Sequence, residues 1–134
     1  MNAAERRRLR KLGKFLPTVI PKRLDFSSYT SDKRSAPCHA KKFLSDCGTS
    51  ACMLGWAAYL FPKLSAKCSA FECLSNELFG ISISTRDWGF LFGSRWAELD
   101  NSPEFAARRI HLYLEKGLPS KWRYDTAESE WEWL

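Results

Sequence analysis

The sequence predicts an all-α fold, a compact bundle of about five or six short helices around a buried central helix at about residues 49–61. Residues 49–61 hold no charged side chain, and Pro62 ends the run. A helix that is apolar on every side suits no contact with water and is therefore buried. Elsewhere apolar residues recur with helical spacing, and no segment alternates apolar and polar residues as a strand would over more than a few positions.

The length and composition suit one globular domain over residues 1–134. The chain holds 134 residues, of which 45% are hydrophobic, with six Trp and nine Phe to build a core. The apolar run is shorter than the roughly 20 residues that a membrane span needs. The basic start lacks the apolar stretch and cleavage site of a signal peptide. We therefore expect a cytoplasmic protein with no membrane partner.

The first helix is expected over residues 4–16, and it is basic. Leu9, Leu12 and Leu16 form one apolar stripe along it, and Pro17 ends it. Cations cover much of the remaining surface, namely Arg6, Arg7, Arg8, Arg10, Lys11 and Lys14. The stripe indicates that this helix packs against the rest of the domain.

Residues 17–37 are expected to form a loop that wraps around the core, because they hold three Pro and a Ser/Thr cluster. The apolar residues of the loop are predicted to point inward: Val19, Ile20, Leu24 and Phe26. A short helix follows at 38–45, where the helical core of residues 38–117 begins. Thr49 or Ser50 is expected to cap the central helix.

Two further helices are predicted over residues 69–79 and 84–92. Each begins with a capping box, in which a Ser side chain and a carboxylate three residues later each accept a backbone N–H. Each ends at a Gly, which favours a helix stop. The residues of these signals are Ser69, Glu72 and Gly80 in the first helix, and Ser84, Asp87 and Gly93 in the second.

The last helix is predicted over residues 103–116. Ser102 caps it, Pro103 takes the first helical position, and Gly117 ends it. Residues 118–134 then form a tail that is rich in Trp and acidic side chains.

Charge is unevenly distributed along the chain. The net charge is +6, made of +9 over residues 1–45 and −3 over residues 46–134. A basic front and a mildly acidic back favour a charged surface near the N-terminus that attracts an anionic partner. The same distribution argues against a uniformly basic, DNA-coating protein.

The five cysteines do not indicate a disulfide framework, because their number is odd and no signal peptide is visible. Cys47 and Cys52 flank the expected start of the central helix, where exposed N–H groups favour a thiolate. One interpretation is a reactive thiol with His39 or His111 as its base. We favour packed thiols, because nothing in the sequence places a base beside them.

A zinc site is the other chemical hypothesis, and its ligands would be Cys38, His39, Cys47 and Cys52. Cys38 and His39 are adjacent in the sequence, and neighbouring residues seldom both reach one ion. The Cys68–Cys73 pair straddles the predicted cap at Ser69. Because these spacings fit a tetrahedral zinc site loosely, we predict neither a metal nor a cofactor.

Residues 47–57 read CGTSACMLGWA, and they resemble the core motif of a set of small bacterial and phage proteins of unknown function. The motif is Cys-Gly-Thr-x-Ala-Cys-x-x-Gly-Trp-Ala, here Cys47, Gly48, Thr49, Ala51, Cys52, Gly55, Trp56 and Ala57. Flanking similarities extend the resemblance over about residues 16–117. It implies a phage- or prophage-associated protein with no transferable catalytic residues. By analogy, such a protein blocks a host defence by binding it, as anti-CRISPR proteins do.

Two segments are candidate partner-binding sites. The first is the basic helix, with Arg6, Arg7, Arg8, Arg10, Lys11 and Lys14, which either binds phosphates, docks on an acidic protein surface or simply stays solvated. The second is the aromatic part of the tail, with Trp122, Tyr124, Trp131 and Trp133. Trp residues often anchor interfaces, so the tail is either a docking segment or a segment folded over its own domain, where it could pair with the basic helix.

The leading hypothesis is a non-enzymatic, phage- or prophage-encoded interaction protein that binds and inhibits a host protein or nucleoprotein complex in the host cytoplasm. The alternatives are a small nucleic-acid-binding regulator, which would use the basic helix, and a zinc- or thiol-dependent protein. No phosphate-binding loop, catalytic carboxylate pair or zinc-protease motif occurs, so no catalytic residue is predicted. The sequence does not indicate an oligomeric state.

Overall fold

A computed structural model describes residues 1–26, 37, 40–44, 50–120 and 122 of the chain. The helices in chain order are α1 (Ala3–Phe15), α2 (Ala40–Phe43), α3 (Met53–Leu60), α4 (Pro62–Ser65), α5 (Phe71–Phe79), α6 (Arg86–Phe92), α7 (Trp96–Leu99) and α8 (Pro103–Lys116). These residues form no strand, and a single parallel bridge joins Leu24 to Ala51. The predicted all-α class is confirmed. None of the helices in this part of the chain has both the length and the apolar character needed to cross a bilayer.

Helix α1 packs against α8, α5 and α3. Leu9, Leu12 and Leu16 are fully buried, as the stripe predicted. A Cβ added at Gly13 would lie 2.9 Å from the Cγ2 of Ile110 on α8. Glycine therefore allows the close approach of α1 and α8, which outweighs its low helix propensity.

Helix α3 is buried on all sides from Met53 to Ala58, which confirms the central apolar helix. It begins later than the expected start near residue 49, because Ala51 is held in an extended pairing. The Ala51 N–H donates to the Arg23 carbonyl, and the Ala51 carbonyl accepts from the Asp25 N–H, both at 3.0 Å. Cys52 takes the cap position without a side-chain hydrogen bond, so Ser50 is not the cap. Thr49 lies outside the described residues.

The two predicted capping boxes are wrong, although the helices they introduce exist. Ala70 has the extended conformation of the cap position of α5, so that helix starts one residue too late for Ser69 to cap it. At α6 the Thr85 side chain accepts from the Trp88 N–H at 3.2 Å, while the Ser84 hydroxyl pairs with that of Ser82.

The helix ends agree better with the sequence. Gly80 closes α5 in the left-handed conformation with φ 68°, and Gly93 ends α6. Ser102 caps α8 by accepting from the Phe105 N–H at 3.2 Å, Pro103 is its first residue, and Gly117 follows its end. These signals can be recognised in the sequence, because each depends on a backbone conformation or hydrogen bond that one residue type favours at a helix terminus.

The segment after α1 contains short 3₁₀ turns at Leu16–Thr18 and Pro21–Arg23. Val19, Leu24 and Phe26 are buried as predicted. Ile20 is 56% exposed, so its predicted inward position is wrong. Val19 and Ile20 are both extended, and successive side chains of extended backbone point to opposite sides.

Candidate functional site

Four of the six cations predicted on the first helix lie on one exposed face of α1. Arg7, Arg10, Lys11 and Lys14 follow the spacing i, i+3, i+4, i+7, which places them on the same side of a helix. All four are exposed. Within the part of the chain that the structure describes, none of them forms an ion pair or donates a hydrogen bond to a carboxylate. We call these four residues the basic face.

Arg6 and Arg8 have a different role, since both are partly buried and bound to the domain itself. Arg6 Nη2 donates to the Leu114 carbonyl at 2.7 Å, in the last turn of α8. Arg8 Nε donates to the Leu78 carbonyl at 2.6 Å, in the last turn of α5. The last carbonyls of a helix have no partner within it and carry partial negative charge. Arg6 and Arg8 therefore hold α1 to two neighbouring helix ends, and we remove them from the candidate contact residues.

Three partly buried rings lie beside the basic face. Phe15 belongs to α1, while Tyr59 and Phe61 come from the end of α3. The rings of Phe15 and Tyr59 are stacked at 6.1 Å between centroids. The ammonium nitrogen of Lys11 lies 5.5 Å from the centroid of the Phe61 ring. We call Phe15, Tyr59 and Phe61 the aromatic edge.

A second cation accompanies the aromatic edge. The ammonium nitrogen of the exposed Lys41 lies 4.3 Å from the centroid of the Tyr59 ring. Cations placed over ring faces at such distances are held by the ring quadrupole. Rings and ammonium groups therefore lie next to one another on this part of the surface, although the sequence alone shows only Phe15 near the basic run.

Trp56, in the centre of α3, contacts the aromatic edge from the core side. Its ring is buried and lies 5.9 Å from that of Phe15 and 5.4 Å from that of Tyr59. Its indole N–H donates to the Arg23 carbonyl at 2.9 Å, and the Arg23 guanidinium lies 5.0 Å from its ring. This fixed ring holds Phe15 and Tyr59 in place.

Of the four aromatic tail residues predicted to bind a partner, Trp122 alone lies among the described residues, and it is 1% exposed. Its ring meets that of Phe90 edge to face at 5.5 Å. Arg86 donates a guanidinium N–H to the Trp122 backbone carbonyl. At this residue the chain folds over its own domain, so Trp122 is a core residue and not an exposed anchor. Tyr124, Trp131 and Trp133 lie outside the described residues.

The thiol of Cys52 is protonated at neutral pH. It is 3% exposed, and burial raises its pKa to about 11, against the lowering effect of backbone N–H groups of α3. Desolvation thus outweighs the helix N-terminus, the opposite of what a reactive thiolate needs. Cys38, His39 and Cys47 lie outside the described residues, and His111 is exposed on α8.

A surface cleft of about 430 Å³ contains Cys68 and Cys73 together with Glu72 and Glu77. Burial raises the pKa of Cys68, and the charge of Glu77 adds to the effect. Carboxylates beside a thiol disfavour the thiolate that nucleophilic chemistry requires. Within the described ranges, no three His, Cys, Asp or Glu side chains are grouped so that they could hold a metal ion.

Comparison with known proteins gives no match, since no family model, no curated protein and no solved structure is significantly similar to this chain. The strongest candidate site is therefore the one that the geometry itself provides. It consists of the basic face, whose four cations lie on the exposed side of a helix that is buried on its other side. The aromatic edge lies next to it. Such a surface can bind an anionic partner.

Proposed function

We propose that this chain is a non-enzymatic interaction protein that binds an anionic surface of a host protein or nucleoprotein complex and inhibits it. The basic face of α1 is the contact surface. The observation that carries the proposal is that Arg7, Arg10, Lys11 and Lys14 are exposed together while Arg6 and Arg8 are bound within the domain.

Preorganisation supports this assignment. Leu9, Leu12 and Leu16 bury one side of α1, and two arginine hydrogen bonds join it to α5 and α8. A helix fixed in this way loses little backbone entropy when a partner binds. The net charge of +9 over residues 1–45 increases the rate of encounter with an anionic target.

The proposed phage or prophage origin, and the anti-CRISPR-like action, rest on the resemblance at residues 47–57. Among its motif residues, Ala51, Cys52, Gly55, Trp56 and Ala57 are all buried around α3. Their positions suit a motif that specifies the core of a scaffold. On this interpretation the core is common to related proteins, and the exposed side of α1 determines the partner.

A capture experiment from bacterial host lysate tests the proposal. We expect the tagged chain to retain a partner that is lost with Arg7→Ala/Arg10→Ala/Lys14→Ala, because the attraction scales with the number of cations. The substitutions leave Arg6 and Arg8 intact, so the fold is maintained. Lys67→Ala/Arg108→Ala is the control, since both residues are exposed cations outside the basic face.

Two results would contradict the proposal. One is equal recovery of partners by the triple variant and the wild type at several salt concentrations. The other is loss of the partner from the control variant to the same extent, which would reflect net charge alone.

A further inference from the structure

We propose that the basic face and the aromatic edge together bind single-stranded nucleic acid, with phosphates at the cations and bases stacked on Phe61 and Tyr59. This inference rests on the proposed function, because it names the chemistry of the partner for the same side of α1. The juxtaposition that carries it is a ring–ammonium pair at each of two positions, Lys11 with Phe61 and Lys41 with Tyr59.

The basic face is long enough to contact the phosphates of a short stretch of nucleic-acid strand. Arg7 and Lys14 are seven residues apart, which is about 10 Å along a helix. At about 3.4 Å per nucleotide this length corresponds to roughly three nucleotides. Acidic residues do not interrupt the face, because Glu5, the one carboxylate of α1, accepts from the Asn2 N–H and lies against Gly80 of the α5 terminus.

The rings favour nucleic acid over an acidic protein. The carboxylates of an acidic protein would pair with the cations but would gain no specific contact with an aromatic ring. Every nucleic-acid base, in contrast, has a flat face that can stack on a ring. Phe61 and Tyr59 are partly exposed, and the Trp56 ring contacts Tyr59 from the core. The ammonium groups of Lys11 and Lys41 lie over these rings, 5.5 Å from the Phe61 centroid and 4.3 Å from that of Tyr59. A stacking base takes the place of the ammonium group on the ring, and the long lysine side chain then reaches a phosphate that flanks the base.

The same rings favour single strands over duplexes. In a duplex both faces of each base are covered by its stacked neighbours, so only the phosphates remain for the protein to contact. Stacking on Phe61 and Tyr59 is open to a single strand alone. The strand preference is therefore a direct measure of the contribution of the aromatic edge.

Fluorescence anisotropy with a fluorescein-labelled 15-nucleotide strand tests the inference. The strand is used as DNA, as RNA and annealed to its complement, from 50 to 300 mM salt. We expect the single strands to bind more tightly than the duplex. For five cations, the four of the basic face and Lys41, the log–log salt slope is expected to be about −3.5.

Two sets of variants separate charge from stacking. Arg10→Ala/Lys14→Ala should weaken binding at least about ten-fold at low salt and reduce the slope by about two fifths, since two of five phosphate contacts are lost. Phe61→Leu should weaken binding roughly ten-fold and leave the slope unchanged, because a stacked base is lost without a charge. Lys67→Ala/Arg108→Ala removes one lysine and one arginine elsewhere and should leave the affinity within two-fold.

Tyr59→Leu repeats the stacking test at the second ring, and circular dichroism melting verifies that each variant is folded. The inference is overturned if no oligonucleotide binds at 50 mM salt, if the duplex binds as tightly as the single strand, or if neither ring variant changes the affinity. If oligonucleotides fail to bind while lysate capture still depends on Arg10 and Lys14, this inference falls and the proposed function stands. Failure of both experiments overturns both.

Discussion

Arg109 is a buried guanidinium enclosed by aromatic rings at the contact of α6 and α8. Its central carbon lies 4.1 Å from the Trp96 ring and 4.9 Å from the Phe26 ring. Its Nε donates to the Phe90 carbonyl at 3.1 Å, near the end of α6. Burial lowers its pKa to about 9, and the charge of Asp100 partly offsets this effect. Arg109 is therefore still charged at neutral pH, and rings and carbonyls take the place of water around it.

We expect Arg109→Ala to lower the free energy of unfolding by about 3 kcal/mol or more, because it opens a cavity and removes the hydrogen bonds that the guanidinium donates to the Phe90 and Leu91 carbonyls. Arg109→Met retains most of the side-chain volume and should cost less. Urea denaturation of both variants measures the difference. A loss below about 1 kcal/mol for the alanine variant would contradict the structural role of Arg109.

Cys52 makes stability depend on pH in the alkaline range. Its folded pKa of about 11 lies above the ordinary value of 9.0. The folded state therefore holds the proton more tightly, so this stabilisation is complete below pH 9 and is lost as the pH rises toward 11. From pH 8 to 10.5 the wild type should lose about 2 kcal/mol more than Cys52→Ala, at 1.36 kcal/mol per pKa unit.

Denaturant unfolding of both proteins at the two pH values measures that difference, and other titrating groups cancel in the comparison. If wild type and Cys52→Ala have parallel pH profiles, Cys52 is not protected from solvent as described.

At the scale of one element, α1 serves both the fold and the candidate surface. Consecutive arginines alternate between the two roles, since Arg6 and Arg8 reach neighbouring helix ends and Arg7 points to solvent. The cause is the helical repeat, which places residues 6 and 8 on either flank of the buried stripe and residue 7 opposite it.

We expect Arg8→Ala to lower the free energy of unfolding by about 1.5–3 kcal/mol, the contribution of a charged hydrogen bond. Arg7→Ala is the matched control and should remain within about 0.5 kcal/mol of the wild type, as exposed substitutions usually do. Thermal and urea unfolding compare the two variants. Equal effects of the two substitutions would show that the roles of these arginines are not distinct.

Helices with a strong periodic pattern could be predicted from the sequence, and α1 and α8 agree with it closely. The first residues of the helices were less predictable, because they depend on tertiary contacts. The pairing of Ala51 with the segment before residue 26 delays α3, and nothing near Ala51 in the sequence indicates that pairing. The single-turn helices Pro62–Ser65 and Trp96–Leu99 are too short to show a periodic signal.

The candidate site was predictable only in part, because helical spacing is visible in the sequence and tertiary contacts are not. The i, i+3, i+4, i+7 spacing of the basic face is present in the sequence. The acceptors of Arg6 and Arg8 could not be predicted, because they depend on where the ends of α8 and α5 lie. The aromatic edge joins Phe15 to Tyr59 and Phe61, which are distant in sequence and meet only because α3 packs against α1.

At the scale of the whole molecule, the domain continues past the end of α8 to Trp122. The Trp122 ring is buried against Phe90, and Arg86 at the start of α6 binds its carbonyl. Trp122 therefore packs against α6. The sequence left open whether the tail docks on a partner or on its own domain, and Trp122 takes the second role.

We expect Trp122→Ala to lower the free energy of unfolding by about 3–5 kcal/mol, as for other buried Trp residues. Trp122→Phe keeps an aromatic contact to Phe90 and should cost less. Calorimetry or circular dichroism melting measures both. A melting temperature of Trp122→Ala equal to that of the wild type would show that residue 122 contributes nothing to the domain.

The separation of roles along α1 has an evolutionary consequence. Arg7, Arg10, Lys11 and Lys14 make few contacts within the domain, so mutation can replace them at little cost to folding. Arg6, Arg8 and the buried leucines of the same helix cannot change as freely, namely Leu9, Leu12 and Leu16. On the proposed function, a target that alters its own surface could therefore be matched by a few substitutions on one side of a single helix.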